Sequence, residues 1–165
     1  FGFIPVTCFS QALTTFIGQN LGAKEYDRAK KGALFGTVCG IGIAEVIGIA
    51  VFFFSPYLIA AFGGDQKAIE YGIAEAHTIA LFYCLVAFSH CMAAIQRGAG
   101  RSIVPMFVMM VVWCGIRVTY ISIVIRIIPV INVIYWAYPL TWFISSVIFL
   151  ILFLKTDWIH GLEKQ

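Results

Sequence analysis

Long apolar runs separated by short polar segments dominate the chain. The runs cover residues 1–17, 32–57, 74–95, 103–125 and 131–154. All but the first reach the roughly 20 residues that a helix needs to cross about 30 Å of hydrocarbon. They lack the apolar–polar alternation of membrane barrel strands. The pattern predicts an all-α integral membrane protein, in which the end of a truncated helix precedes an antiparallel bundle of four transmembrane helices.

Glycine, proline and charge mark the boundaries between the runs. Residues 18–31 form a basic connection whose second half has the composition of a short surface helix. Pro56 and the glycine pair at 63–64 are expected to close the second run, and Pro129 the fourth. Because every connection is short, consecutive helices must be antiparallel neighbours.

The distribution of Lys and Arg predicts the orientation in the membrane. If the spans alternate, segments 18–31, 96–102 and the tail 155–165 lie on one side and together hold eight basic residues. The opposite side holds only Lys67 and Arg126. The basic side is expected to be cytoplasmic, which predicts a multi-pass protein of the plasma membrane with a cytoplasmic C-terminus.

The composition argues against nucleic-acid binding and against enzyme or metal chemistry. The net charge of +3 is small and not patched along one helix, so lipid rather than nucleic acid is the expected partner. No phosphate loop, zinc pair or catalytic triad is present, which predicts neither enzyme activity nor a metal site. The cysteines lie inside apolar runs without metal-ligand spacing and are expected to be packing residues: Cys8, Cys39, Cys84, Cys91 and Cys114.

The second run carries a small residue at every fourth position. These residues are Gly32, Gly36, Gly40, Ala44 and Gly48. Such a stripe makes a groove into which another helix backbone can pack. Two interpretations remain open: a static packing surface, or a seam along which helices slide.

Two charged residues are predicted near the bilayer centre. Glu45 lies about 20 Å along its span from Gly32, and Arg117 about 21 Å along its span from Ile103. A charge at that depth costs at least ~2.5 kcal/mol unless it is paired, neutralised or hydrated. A Glu45–Arg117 ion pair is one hypothesis; proton or cation coupling by Glu45, or a place for Glu45 in a wet substrate cavity, are the others.

The third run contains further polar candidates. Glu75 and His77 are expected in its outer first turn, where a carboxylate is favoured by the helix dipole. His77 is expected to be solvated at the interface. His90 lies deeper and is expected to be a packing residue rather than a ligand.

Two short glycine-containing motifs lie near the ends of apolar runs. The first follows the pattern A-x-T-x-[FLV]-[IV]-G-Q-x-x-G-A and is matched by Ala12, Thr14, Gly18, Gln19, Gly22 and Ala23. The second follows the pattern R-G-x-G-x-x-x-x-P and is matched by Arg97, Gly98, Gly100 and Pro105. Both motifs resemble those of the multidrug and toxic compound extrusion (MATE) family.

The resemblance implies a fold and a function. The chain would be part of the C-terminal lobe of a twelve-helix transporter, from the end of helix 8 through helix 12, and the missing N-terminal helices would be its partners. The transporter would export organic, often cationic, compounds in exchange for H⁺ or Na⁺, with no other cofactor. Acidic residues in helices 7 and 10 serve some members, which implicates Glu75 with His77 and Tyr83. Glu45 matches no such family position, which favours its pairing with Arg117.

Two alternatives stay open. A lipid-linked oligosaccharide flippase of the same superfamily would present cations such as Arg117 to an anionic headgroup, although the Gly-Gln-x-x-Gly-Ala motif argues against it. A small membrane scaffold protein without transport activity is the other.

Overall fold

The computed structural model describes residues 3–128 and 130–159, and these fold into helices without any strand. The six helices of the described residues are α1 (Ile4–Gly22), α2 (Tyr26–Ala61), α3 (Gln66–Ala80), α4 (Tyr83–Gly98), α5 (Ile103–Ile127) and α6 (Asn132–Lys155). Helices α2, α5 and α6 are each long and apolar enough to cross a membrane, and α3 with α4 supplies a fourth crossing if the bent pair is one span. The predicted all-α membrane bundle is confirmed. Pro129 and tail residues 160–165 lie outside the described residues.

The connection expected at residues 18–31 is mostly helical. Helix α1 continues to Gly22 and α2 begins at Tyr26, so a three-residue turn joins them. Lys24 has a left-handed backbone, with φ of 59°. The amide of Glu25 donates to the Asn20 carbonyl at 2.8 Å, which completes a Schellman closure of α1. The basic segment therefore consists of the adjoining ends of two long helices.

Pro56 does not end the second helix, contrary to the prediction. Helix α2 passes through it and ends at Ala61, just before Gly63 and Gly64 with φ of 71° and 146°. A proline deep in a helix removes one backbone hydrogen bond, and neighbouring helices can compensate for it in a membrane. At 36 residues, α2 is about 54 Å long and therefore extends well beyond the hydrocarbon.

The third apolar run is not one straight span. Helix α3 begins at Gln66, eight residues before the expected start at 74, and ends at Ala80. The chain bends by 57° at Leu81 and Phe82 before α4 begins. No glycine or proline occupies the bend, so the local sequence did not predict it. The bend creates new helix ends inside the bundle.

Helix α5 changes type along its length. Its middle part, Met110–Ile116, is π-helical, between α-helical turns at Ile103–Met109 and Arg117–Ile127. Wider π-helical turns inside α-helices occur frequently at functional sites. Arg117 is the first residue after the π-helical part, so the widened turns influence the direction of its side chain.

Helix α4 is the centre of the bundle. It packs against α1, α2 and α6, and every residue from Cys91 to Gln96 is buried. The small-residue stripe of α2 makes the close approaches. A methyl group on Gly36 would lie 2.6 Å from Leu13 of α1, and one on Gly40 would lie 2.7 Å from the Cys91 sulfur of α4. The small-residue stripe of α2 is thus a packing surface for α1 and α4.

Candidate functional site

The candidate site lies at the bend between α3 and α4. In a continuous helix the Cys84 amide would donate to the Ala80 carbonyl, four residues earlier. Here it donates instead to Oε1 of Glu45, at 2.9 Å. Glu45 reaches across from α2 and takes the place of the missing carbonyl. A carboxylate at a helix N-terminus is also favoured by the helix dipole.

Helix α2 approaches this bend very closely. A methyl group on Gly48 would lie 2.6 Å from the Ala80 carbonyl oxygen and 3.5 Å from Tyr83. Because Gly48 follows Glu45 by three residues, it lies on nearly the same face of α2. The absence of a side chain at Gly48 therefore lets the Glu45 carboxylate reach the first turn of α4.

A small cavity lies beside the Glu45 carboxylate. It has a volume of about 160 Å³ and is walled mainly by apolar groups, including Phe52 and Phe53 of α2 and Leu81 at the bend. Glu45 is the charged residue among its described walls. A cavity of this size holds several water molecules or a cation. The carboxylate has lone pairs beyond the one bound to Cys84.

His77 is not solvated, contrary to the prediction. Its ring stacks on Phe52 with centroids 4.3 Å apart, and Nε2 is buried with no hydrogen-bond partner among the described residues. Phe52 is also a wall of the Glu45 cavity. Phe52 thus both contacts His77 and lines the cavity beside Glu45.

Glu75 and Tyr83 take other positions than their sequence suggested. Glu75 lies nine residues into α3 rather than in a first turn, because the helix starts at Gln66, so the helix dipole does not explain it. It is partly buried and interacts electrostatically with Tyr135 of α6. Tyr83 begins α4 and is buried against Phe3 and Trp142. Tyr83 therefore packs in the core beside the bend.

The structure does not bring Glu45 and Arg117 together. Arg117 donates to Thr141 Oγ1 from Nη2 at 2.7 Å and from Nε at 3.2 Å. Its guanidinium lies 4.4 Å from the centroid of Tyr138 and 5.5 Å from that of Trp113. The predicted ion pair is wrong. The prediction compared how far along their helices the two residues lie, but not which neighbours the helices face: α2 packs on α4, whereas α5 packs on α6.

A buried hydroxyl cluster was missed in the sequence. Ser89 of α4 lies 2.9 Å from Ser145 and 3.0 Å from Ser146 of α6, oxygen to oxygen. Ser146 also donates to the Leu85 carbonyl at 3.0 Å. The adjacent serines in a strongly apolar run were the available signal, since hydroxyls join helices in membranes.

The two MATE-like motifs meet where α1 crosses α4. A methyl group on Gly98 would lie 2.7 Å from the Thr14 carbonyl oxygen, and one on Gly18 would lie 3.4 Å from the Gly98 oxygen. Gly100 has φ of 79° and closes α4 with a Schellman motif. The close approach of α1 to α4 and the left-handed turn after α4 therefore explain why glycine occupies these motif positions.

The remaining motif residues divide into buried and exposed groups. Pro105 is buried in the first turn of α5 and Arg97 is half-buried in the last turn of α4. Gln19, Gly22 and Ala23 are exposed in the described part of the chain. Internal packing thus gives no account of these last three residues.

A polytopic helix bundle with a bent helix pair and a carboxylate at the bend has features found in membrane transporters. Comparison with known families agrees: the MatE family model matches residues 1–123. The chain belongs to this family, and the resemblance to MATE transporters is confirmed.

A curated relative points the same way. The chain is 27% identical over 106 residues to the probable multidrug resistance protein NorM of Thermotoga maritima. The match covers 64% of this chain and 23% of the relative, so the chain spans less than a quarter of that protein's length.

Proposed function

We propose that the chain forms the C-terminal part, from the end of helix 8 through helix 12, of an antiporter that exports organic, often cationic, compounds in exchange for H⁺ or Na⁺. Membership of the MatE family supports transport, and the name of the NorM relative supports multidrug export. The missing N-terminal helices complete the substrate cavity. The protein resides in the plasma membrane with its C-terminus in the cytoplasm, in keeping with the eight basic residues on that side.

The observation that carries this proposal is the Glu45 carboxylate at the bend. A charged group inside the membrane is expensive and in most cases functional. One Glu45 oxygen binds the Cys84 amide, and the carboxylate borders a cavity of about 160 Å³. A proton or Na⁺ arriving there neutralises the carboxylate. Broken helices supply coupling-ion sites in other secondary transporters.

The position of α4 links the neutralisation of Glu45 to a movement of helices. Neutralising Glu45 weakens its charge-assisted hold on the Cys84 amide. The angle between α3 and α4 then changes most easily, because this contact replaces the normal helical hydrogen bond at the bend. Helix α4 packs against α1, α2 and α6, so a rotation at the bend changes its contacts with these three helices.

Glu75 is the second coupling candidate, on the strength of the family resemblance. It is partly buried in α3 near Tyr135, whose hydroxyl is buried without a hydrogen-bond partner among the described residues. A carboxyl group and an unpaired hydroxyl in the same region provide polar groups for a cationic substrate.

Drug efflux by the full-length transporter tests both candidates. Cells expressing it, or its Glu45→Gln or Glu75→Gln variant, are loaded with a fluorescent organic cation and energised with a proton or sodium gradient. Glu45→Gln keeps an oxygen acceptor for Cys84 but cannot bind a proton, so the protein folds and loses gradient-driven efflux. Glu70→Gln, at an exposed carboxylate on α3, is the matched control. Unchanged efflux in both Glu45→Gln and Glu75→Gln would refute the coupling role.

The alternatives have less support. The flippase hypothesis needs Arg117 to face a lipid headgroup, but its guanidinium is engaged by Thr141, Tyr138 and Trp113. Family membership favours transport over a scaffold role.

A further inference from the structure

A second, larger cavity lies away from the bend, between α2, α4 and α6. This α2–α4–α6 groove has a volume of about 480 Å³, and its walls include Lys30 and Leu34 of α2, Met92 of α4, Phe153 of α6 and Trp158. The volume falls in the range of small-molecule sites. Apart from Lys30 and Thr37, the walls are apolar or aromatic.

The groove opens toward the hydrocarbon. Leu34, on its rim, is 71% exposed, and the neighbouring Phe35 is 72% exposed. Leu150 and Leu154 of α6 are exposed on the other side. Large apolar side chains on the outside of a membrane bundle contact lipid. Exposed apolar side chains therefore flank the groove on both sides.

Lys30 is the polar end of the groove. It lies in the second turn of α2, and Leu34 and Thr37 follow on the same face over about 10 Å. Trp158 closes the same end and stacks on Phe153 with centroids 5.5 Å apart. Tryptophan and lysine are both typical of the membrane–water interface. The groove thus has a cationic end at the membrane–water interface and an apolar part that extends into the bilayer.

We propose that the α2–α4–α6 groove binds an anionic phospholipid, with its phosphate against Lys30 and one acyl chain along Leu34 and Met92. Lys30 forms no ion pair within the described part of the chain, so its charge is available. The lysine repels an organic cation, which argues against a cationic transported compound as the occupant. The proposal rests on the groove and is independent of the transport mechanism.

The headgroup must supply the selectivity. An acyl chain in the groove exchanges one hydrocarbon environment for another, so it discriminates little between lipids. One basic residue near an anionic surface gives about fivefold in affinity. Retention of anionic over zwitterionic lipid is therefore expected to differ by about that factor and to depend on Lys30.

Native mass spectrometry of the purified, delipidated protein tests the proposal. The protein is incubated with equal amounts of phosphatidylglycerol and phosphatidylcholine in detergent, and bound lipids are counted. Wild type is expected to retain about five times more phosphatidylglycerol, and Lys30→Gln to retain the two equally. Lys31→Gln is the matched control, because Lys31 is the next basic residue of α2 but does not line the groove.

A second pair of variants, both at exposed positions, tests the apolar part of the α2–α4–α6 groove. Leu34→Trp fills the groove from its exposed rim and is expected to abolish phosphatidylglycerol retention, whereas Phe35→Trp, equally exposed on the adjoining face, leaves it intact. Equal effects within either pair would overturn the proposal, as would displacement of phosphatidylglycerol by an organic cation such as ethidium. Loss of efflux in the Glu45 variant has no bearing on these counts.

Discussion

Gly48→Ala adds one methyl group where α2 meets the end of α3. The methyl would lie 2.6 Å from the Ala80 carbonyl oxygen, which belongs to the backbone and cannot rotate away. Overpacking of this kind costs about 1–3 kcal/mol. Alanine instead of glycine inside a helix returns about 0.5–1 kcal/mol. The variant is therefore expected to be destabilised by up to about 2.5 kcal/mol.

Gly42→Ala separates these two effects. It lies on the same helix, and a methyl group there meets nothing within 4 Å. This variant is expected to be stabilised by about 0.5–1 kcal/mol through helix propensity alone. The difference between the two variants thus isolates the contact between α2 and the bend, about 1–3 kcal/mol.

Unfolding by sodium dodecyl sulfate in mixed micelles, followed by circular dichroism, measures both variants against wild type. The bend makes a further difference, because a displaced Ala80 carbonyl also disturbs the Glu45–Cys84 hydrogen bond. Gly48→Ala is therefore expected to reduce efflux by the full-length transporter, and Gly42→Ala to leave it unchanged. Equal stability of the two variants would refute the close approach on which the candidate site depends.

Three further predictions concern stability and use the same unfolding assay. Lys24→Gly should stabilise the protein by about 1 kcal/mol because it removes a left-handed lysine, and Gly100→Ala, at the equivalent closure of α4, should destabilise it similarly. Ser89→Ala should cost about 1 kcal/mol through two interhelical hydrogen bonds, whereas Ser122→Ala, at an exposed serine, should cost nothing measurable. Arg117→Lys should destabilise the packing of α5 on α6, because lysine loses the stacked guanidinium and its paired donors; wild-type stability in this variant would contradict the assigned role.

Hydrophobic patterning indicated an all-α membrane bundle because burial in a bilayer is a property of each run. The fourth run was expected at 103–125 and the helix is Ile103–Ile127; the fifth was expected at 131–154 and the helix is Asn132–Lys155. The small-residue stripe of the second run likewise indicated close packing, since the spacing is local. These features can be located along the chain without knowing which helices pack together.

The chain sequence thus determined the class of fold and the apolar runs that form its helices, because apolar length is a local quantity. Tertiary structure alone decided that Glu45 binds the Cys84 amide rather than Arg117, and that the third run bends at Leu81 and Phe82 without glycine or proline. Depth is counted along one helix, but direction depends on which helices are neighbours. The site at the bend exists because a carboxylate from α2 satisfies a helix end that belongs to another segment of the chain.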